Sequence, residues 1–366
     1  MYSINIEYKK TKEYPVFFKR VANKKICVAY DVHTKSYALP MVEELQKIGC
    51  VTVQVFYPDD ELIPDEKACE KMKAVASNCE YLLAVGSGTL NDMAKYVSTV
   101  LNIPCGVLAT APSMDGYCSK GSALMIAGKK VTYNVHMPSD VLIDADIITH
   151  APKMMIAAGF GDIIGKYTCL LDWQLAHYTK KEPIHQRAFA QMLSAREECV
   201  SNFDALARGD CAATVKLMDA LVIAGLAMAE CGNSRPASGS EHHMSHFLEM
   251  DFVSRGEKIP MHGIKVAIGT LISMEIYSYL KREKIQFEGC REVYKLVEAL
   301  PSIETIEKML EKIGCPTRFS QIGVREETFV DMIYNAYTVR DRYTVLTLIK
   351  EIGLSDKILP IVKKYY

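Results

Sequence analysis

Between Lys25 and Leu108, short β-branched or aliphatic runs alternate with amphipathic stretches. ICVAY (26–30) precedes an amphipathic segment at 36–47, VTVQVF (51–56) precedes 65–77, YLLAV (81–85) precedes 89–99, and PCGVL (104–108) closes the series. Strand-length runs separated by helix-length segments predict a doubly wound, mostly parallel, Rossmann-like α/β sheet. SALMIAGKKVTYNVHMPSDVLID (122–144) then sets two strand-like runs about a Gly-Lys turn, which predicts a hairpin that extends this sheet or caps its cleft. After Pro152 the apolar period shifts to 3.6, through 153–180, 184–208, 211–231, 240–252, 262–281 and 290–313. The pattern predicts an α/β N-terminal domain over residues 1–152, followed by an all-α C-terminal domain over 153–366, with the active site in the interdomain cleft.

Composition narrows the class of partner. A length of 366 residues favours two domains, and 43 basic against 44 acidic residues leave a net charge of −1. No block of like charge forms a nucleic-acid arm or membrane anchor, so the expected partner is a small molecule, with no nucleic acid and no membrane. The twelve cysteines run from Cys27 to Cys315 with no C-x-x-C pair, and read as buried thiols of a reducing compartment. The charged start MYSINIEYKKTKEYPVFFKR has no apolar signal-peptide core. The longest apolar run, Ala220 to Ala229, is about half of the ~20 residues a membrane span needs. A cytoplasmic location is expected.

Val85-Gly86-Ser87-Gly88-Thr89-Leu90-Asn91-Asp92 lies at a predicted strand-to-helix turn. Gly86 and Gly88 permit a tight turn and close backbone approach, Thr89 is placed to cap, and the N–H groups of a helix start can hold a pyrophosphate. Gly-x-Gly also occurs as plain turn chemistry, and Asn91 stands where the G-x-G-x-x-G fingerprint has its third glycine. Asp31, ending the first strand-like run, could accept hydrogen bonds from an adenosine ribose and repel a 2′-phosphate, favouring NAD over NADP; it could equally be a turn aspartate. Thr110-Ala111-Pro112-Ser113-Met114-Asp115-Gly116 follows the next strand at its carboxyl end, where open sheets bind ligands.

Four of the nine histidines fall between 242 and 262, in GSEHHMSH (239–246) and MHG (261–263). On a helix, His242 and His246 share a face while His243 points elsewhere. Solvated histidines or a hydrogen-bonded pair are the plain alternatives. A zinc-protease H-E-x-x-H is absent, because His243 occupies the glutamate position. In GFGDIIGK (159–166), glycines let backbone pass close to something bulky and Asp162 is a candidate carboxylate ligand. One carboxylate with two imidazoles leaves coordination positions open for substrate oxygens, as in catalytic divalent-metal sites, and suits zinc, nickel or iron.

In their order and spacing, GSGTLND, TAPSMDGYCS, GFGDIIGK, SRPASGSEHHMSH and HGIKV resemble the sn-glycerol-1-phosphate dehydrogenase family. That family sits in the superfamily of iron-containing alcohol dehydrogenases, glycerol dehydrogenase and dehydroquinate synthase. The resemblance implies that Gly88 to Asp92 and Thr110 to Ser113 bind the dinucleotide with Ser119, NAD and possibly also NADP. It implies that Asp115 and His246 touch substrate, and that Asp162, His242 and His262 hold one divalent metal, zinc first, with nickel or iron as alternatives. Asp162 would then serve catalysis together with Asp115 and His246. Asp162 stands where a dehydroquinate synthase would have glutamate, and the 242–246 spacing of four differs from the three of glycerol dehydrogenases. The implied reaction interconverts dihydroxyacetone phosphate and sn-glycerol 1-phosphate by hydride transfer, a step of phospholipid synthesis. A dehydrogenase of another polyol or of a phosphonate aldehyde is the alternative, ahead of a non-catalytic nucleotide-binding protein. Lys166 and Arg235 are candidate charges for a phosphate or members of structural ion pairs, and relatives imply a homo-oligomer.

Overall fold

The computed structural model describes residues 4–9 and 14–366. One compact unit comprises Met1–Pro152 and Gly209–Val222; a second comprises Lys153–Arg208 and Ile223–Tyr366. The first unit holds β1 (Asn5–Tyr8), β2 (Lys25–Asp31), β3 (Val51–Tyr57), β4 (Tyr81–Gly86), β5 (Cys105–Ala109), β6 (Gly121–Ile126), β7 (Lys129–Asn134) and β8 (Asp140–Ile143). Six of these form a parallel sheet in the order β1-β8-β5-β4-β2-β3. Every residue of β4, β5 and β8 is buried, as expected of strands covered on both faces. From β2 the chain winds to β3 on one side, while β4 lies on the other, so the order reverses between β2 and β4. Open α/β sheets bind ligands outside the carboxyl ends of the strands at such a reversal. Here those ends are Asp31 and Gly86.

Two strands escape the sequence pattern. NIEY is too short and polar to register, and β1 is fastened by the buried carboxylate of Asp140, which accepts from Asn5 Nδ2 at 3.0 Å, Arg20 Nη1 at 3.0 Å and Tyr81 Oη at 2.7 Å. The expected hairpin also differs. β6 and β7 pair antiparallel as a separate two-stranded sheet, and the trailing DVLI run enters the main sheet as β8. The turn is Ala127-Gly128, with φ of 48° and 69°, the left-handed pair that matches strand twist in a two-residue hairpin.

The second unit is helical. Three expected long helices are each broken, at Gly165 into Lys153–Ile164 and Lys166–Lys180, at Asn202 into Gln186–Ser201 and Phe203–Ala207, and at Pro301-Ser302 into Cys290–Glu298 and Ile303–Lys312. Ser302 restarts the last as an N-cap, accepting from Thr305 N. By length and hydropathy alone, 153–180 and 211–231 could cross a membrane; 89% and 56% of their most apolar stretches are buried inside the protein, as in core helices. All twelve cysteines are free thiols, nine of them buried.

Glycines set how close the helices come. A Cβ on Gly263 would lie 1.8 Å from the carbonyl oxygen of Ala158, and one on Gly161 would lie 2.5 Å from that of Gly263. The missing side chains of Gly161 and Gly263 permit this crossing of helices Lys153–Ile164 and His262–Arg282. The bulky neighbour that the GFGD glycines admit is therefore another helix backbone.

Candidate active site

At the carboxyl end of β4, Ser87 precedes the helix Gly88–Leu101, and no side chain caps that helix start. Its first N–H groups remain available to an anion, reinforced by the positive end of the helix dipole. Thr89, expected to cap, is the second residue of the helix, and Ser87 takes the cap position. The loop after β5 is tied to this turn: Ser87 Oγ lies 2.6 Å from Ser113 Oγ, Thr110 N donates to Gly86 O at 3.1 Å, and Tyr117 Oη donates to Ala111 O at 2.7 Å. Gly86, Gly88, Thr110, Ala111, Pro112 and Ser113 are thus brought together at the ends of two adjacent strands.

Leu90, Asn91 and Asp92 support this turn from behind. Leu90 is buried, and a Cβ on Gly86 would come within 2.5 Å of its Cδ1. Asp92 Oδ2 accepts from Ala123 N at 3.0 Å, and its Oδ1 lies 2.9 Å from Lys95 Nζ. Lys95, which sequence reasoning missed, is fully buried and donates to the carbonyls of Gly116 (2.9 Å) and Gly121, holding the loop that carries Asp115 and Ser119. Both of those residues are buried. Asp31 Oδ1 accepts from His33 N, Thr34 N and Thr34 Oγ1 at 2.9–3.0 Å, so it closes its own turn at the sheet reversal.

In the helical unit, Asp162, His242 and His262 each offer a ligand atom, and these atoms lie within 4.8 Å of one another. Asp162 comes from Lys153–Ile164, His242 from Ser240–Ser254, and His262 opens His262–Arg282. Two buried carboxylates orient the rings. Glu241 Oε1 lies 2.8 Å from His242 Nδ1, and His242 Nε2 faces Asp162 Oδ1 at 3.7 Å. Glu249 Oε1 lies 3.3 Å from His262 Nδ1 and 3.3 Å from Lys265 Nζ, while its Oε2 takes His246 Nδ1 at 2.9 Å. A carboxylate on Nδ1 fixes the proton there and leaves the Nε2 lone pair for a cation. Burial, and then the Lys166 charge, hold His242 well below its ordinary pKa, so it stays neutral as a metal ligand must. Burial and the Asp172 carboxylate push Glu241 up to about 7. The donor set and its orientation fit a divalent ion.

His246 stands apart from the three. Its Nε2 meets Arg340 Nη2 at 3.0 Å, and because a guanidinium only donates, His246 is neutral with its proton on Nδ1. Lys166 and Arg235 are committed inside the protein. Lys166 Nζ, fully buried, lies 2.8 Å from Asp162 Oδ1 and donates to Ala237 O at 3.0 Å. Arg235 pairs with Glu182 at 2.9 Å and donates to the carbonyls of Asp172 and Tyr343. Glu241 and Glu249 went unnoticed in the sequence; their adjacency to the histidine motif, at one residue before His242 and three after His246, could have found them.

Residues 5–152 match the iron-containing alcohol dehydrogenase family. A Bacillus licheniformis protein named glycerol-1-phosphate dehydrogenase, NAD(P)+, is 32% identical over 353 residues, covering 95% of this chain and 88% of that protein. A Geobacillus thermodenitrificans protein of the same name is 35% identical over 317 residues, covering 81% of this chain and 78% of its own. The crystal structure of a probable glycerol dehydrogenase from Sinorhizobium meliloti shares the fold, with a TM-score of 0.70 at 16% identity over 99% of this chain and 98% of that one.

Proposed function

The chain belongs to the glycerol-1-phosphate dehydrogenase family, within the iron-containing alcohol dehydrogenases, and from that premise we propose that it interconverts dihydroxyacetone phosphate and sn-glycerol 1-phosphate. The observation that carries the reading is the convergence of Asp162, His242 and His262 in one unit, while the other presents an uncapped helix start at a sheet reversal. A divalent ion held by those three residues, zinc by its preference for nitrogen and carboxylate donors, would supply Lewis-acid polarisation of the ketone oxygen. NAD(P) on the 86–89 and 110–113 loops would supply or accept the hydride. Asp31, at the end of β2, favours the form without a 2′-phosphate.

The chain's own residues prepare this chemistry. Glu241 and Glu249 keep protons on the inner nitrogens of His242 and His262, so the outer lone pairs are committed before substrate arrives. Lys166 balances the Asp162 carboxylate, both side chains being fully buried. His246 has no proton to give from Nε2 in this arrangement, so it orients substrate instead of acting as an acid. Asp115 is assigned to the substrate hydroxyls. Free thiols throughout suit a reducing cytoplasm.

The test is NADH formation that depends on sn-glycerol 1-phosphate and not on its sn-3 enantiomer, before and after chelation and zinc restoration. Activity with neither, or activity indifferent to a chelator that strips the bound metal, would overturn the reading.

A further inference from the structure

Arg235, Arg340 and Arg342 gather in the helical unit, yet their partners differ in kind. Arg235 has Glu182 as a counter-charge. The groups to which Arg340 and Arg342 donate hydrogen bonds are all neutral, and the Glu249 and Glu182 carboxylates act on them only through space. Arg340 Nη1 donates to Ser234 Oγ at 2.9 Å and its Nη2 to His246 Nε2 at 3.0 Å. Arg342 Nη2 donates to the same Ser234 Oγ at 3.1 Å, and its Nη1 to Ser238 O at 2.6 Å. Two guanidiniums therefore share one hydroxyl with no carboxylate between them. Beside them, Ser238 Oγ and both ring nitrogens of His243 are buried with no hydrogen-bond partner. Burial, and then the charges of Arg235 and Arg340, push Arg342 down to about 10.

Like charges held together and partly desolvated are unfavourable, and buried polar atoms without partners signal a missing group. An anion answers both. Building on the function proposed above, we propose that Arg340 and Arg342, with the Ser234 hydroxyl between them, clamp the phosphate of the phosphorylated substrate. Two planar guanidiniums and a hydroxyl match the several oxygens of a phosphate dianion, where a single carboxylate would leave donors unfilled. Position agrees with chemistry. Arg340 touches His246, whose ring centroid is 5.5 Å from that of His262 and 6.4 Å from that of His242. From the reacting oxygen to phosphorus of a three-carbon phosphoester there are four bonds of about 1.5 Å each, a reach of roughly 5 Å, comparable with the 5.5 Å between the His246 and His262 ring centroids. These arginines are positioning residues that discriminate a phosphorylated from a free polyol; they take no part in hydride transfer.

The experiment compares metal-loaded wild type with Arg342→Gln, Arg340→Gln, Arg342→Lys and Ser234→Ala by two readouts. For sn-glycerol 1-phosphate, either glutamine variant should raise KM roughly 30- to 100-fold with a much smaller change in kcat, and the lysine should recover part of the loss. Independently of turnover, millimolar inorganic phosphate should raise the melting temperature of cofactor-free wild type but not that of the glutamine variants. Should Arg342→Gln fail to fold, Arg340→Gln and Ser234→Ala carry the comparison. KM values within threefold of wild type in folded variants, or a phosphate-induced shift that is absent from wild type or survives in the variants, overturns the clamp. If wild type is inactive on sn-glycerol 1-phosphate while the phosphate shift is present and lost in the variants, the clamp stands and the reaction assigned above falls.

Discussion

Replacing Gly263 with alanine adds one methyl group at the point where two ligand-bearing helices touch. The new Cβ would sit 1.8 Å from Ala158 O and 2.6 Å from Ala158 C, both backbone atoms that no rotamer change can move aside. An ordinary C···O approach is about 3.4 Å, so the helices must part by roughly 1.5 Å. Overpacking of this kind costs up to about 3 kcal/mol, and backbone overlap places Gly263→Ala at that upper end. For a protein of this size the thermal midpoint should fall by roughly 4 °C. Ala158 is one turn before Asp162, and Gly263 adjoins His262, so the same movement separates two of the three ligands. Metal sites tolerate about 0.2 Å in ligand distance, far less than the opening required. Differential scanning calorimetry and metal analysis of the purified variant should show both losses together. Gly161→Ala, whose Cβ would meet Gly263 O at 2.5 Å, should show a smaller version of each. Wild-type metal content and melting in Gly263→Ala would refute the argument that this crossing builds the site.

His262→Ala removes one of three ligands, so metal content and turnover should nearly vanish while NADH binding persists; His246→Ala should retain the metal, and loss of metal there would reverse the assignment. Gly88→Val should raise the NADH dissociation constant at least tenfold with the fold intact, since the first added carbon meets only Met114 at 3.4 Å; unchanged affinity in a fluorescence titration would remove the loop from the site. Burial pushes the thiols of Cys27, Cys69, Cys118, Cys199 and Cys315 up to about 12 and that of Cys105 up to about 11, from an ordinary 9.0. Because these folded-state values are raised, their stabilisation is complete below pH 9 and is lost as pH climbs toward 11–12. Each thiol contributes about 1.4 kcal/mol per pH unit in that window, so urea unfolding should show a flat plateau to pH 8 and a steep fall above pH 9, shallower in a Cys27→Ala, Cys118→Ala double variant.

The periodic signals of this chain were legible because each reports a local preference. β-branched runs spaced by amphipathic segments specify a wound parallel sheet, the shift to a 3.6 period after Pro152 specifies helices, and Gly-Ser-Gly at a strand end specifies a turn with free N–H groups. The three metal-ligand candidates were also visible, as a glycine-flanked aspartate and two histidine motifs. What no local preference encodes is which distant groups meet. NIEY becomes a strand only because buried Asp140 gathers Asn5, Arg20 and Tyr81 around it. The helix breaks at Gly165 and Asn202 interrupt no apolar pattern, so periodicity runs through them. Lys166 and Arg235 could be read as phosphate ligands or as members of structural ion pairs, and packing pairs them with Asp162 and Glu182. Arg340 and Arg342, about a hundred residues beyond the histidines, carry no motif, yet folding sets one of them against His246. Local preferences specify most of the elements and the donor types; which charges are neutralised and which are left for a ligand follows only from folding, because it depends on distances between residues far apart along the chain.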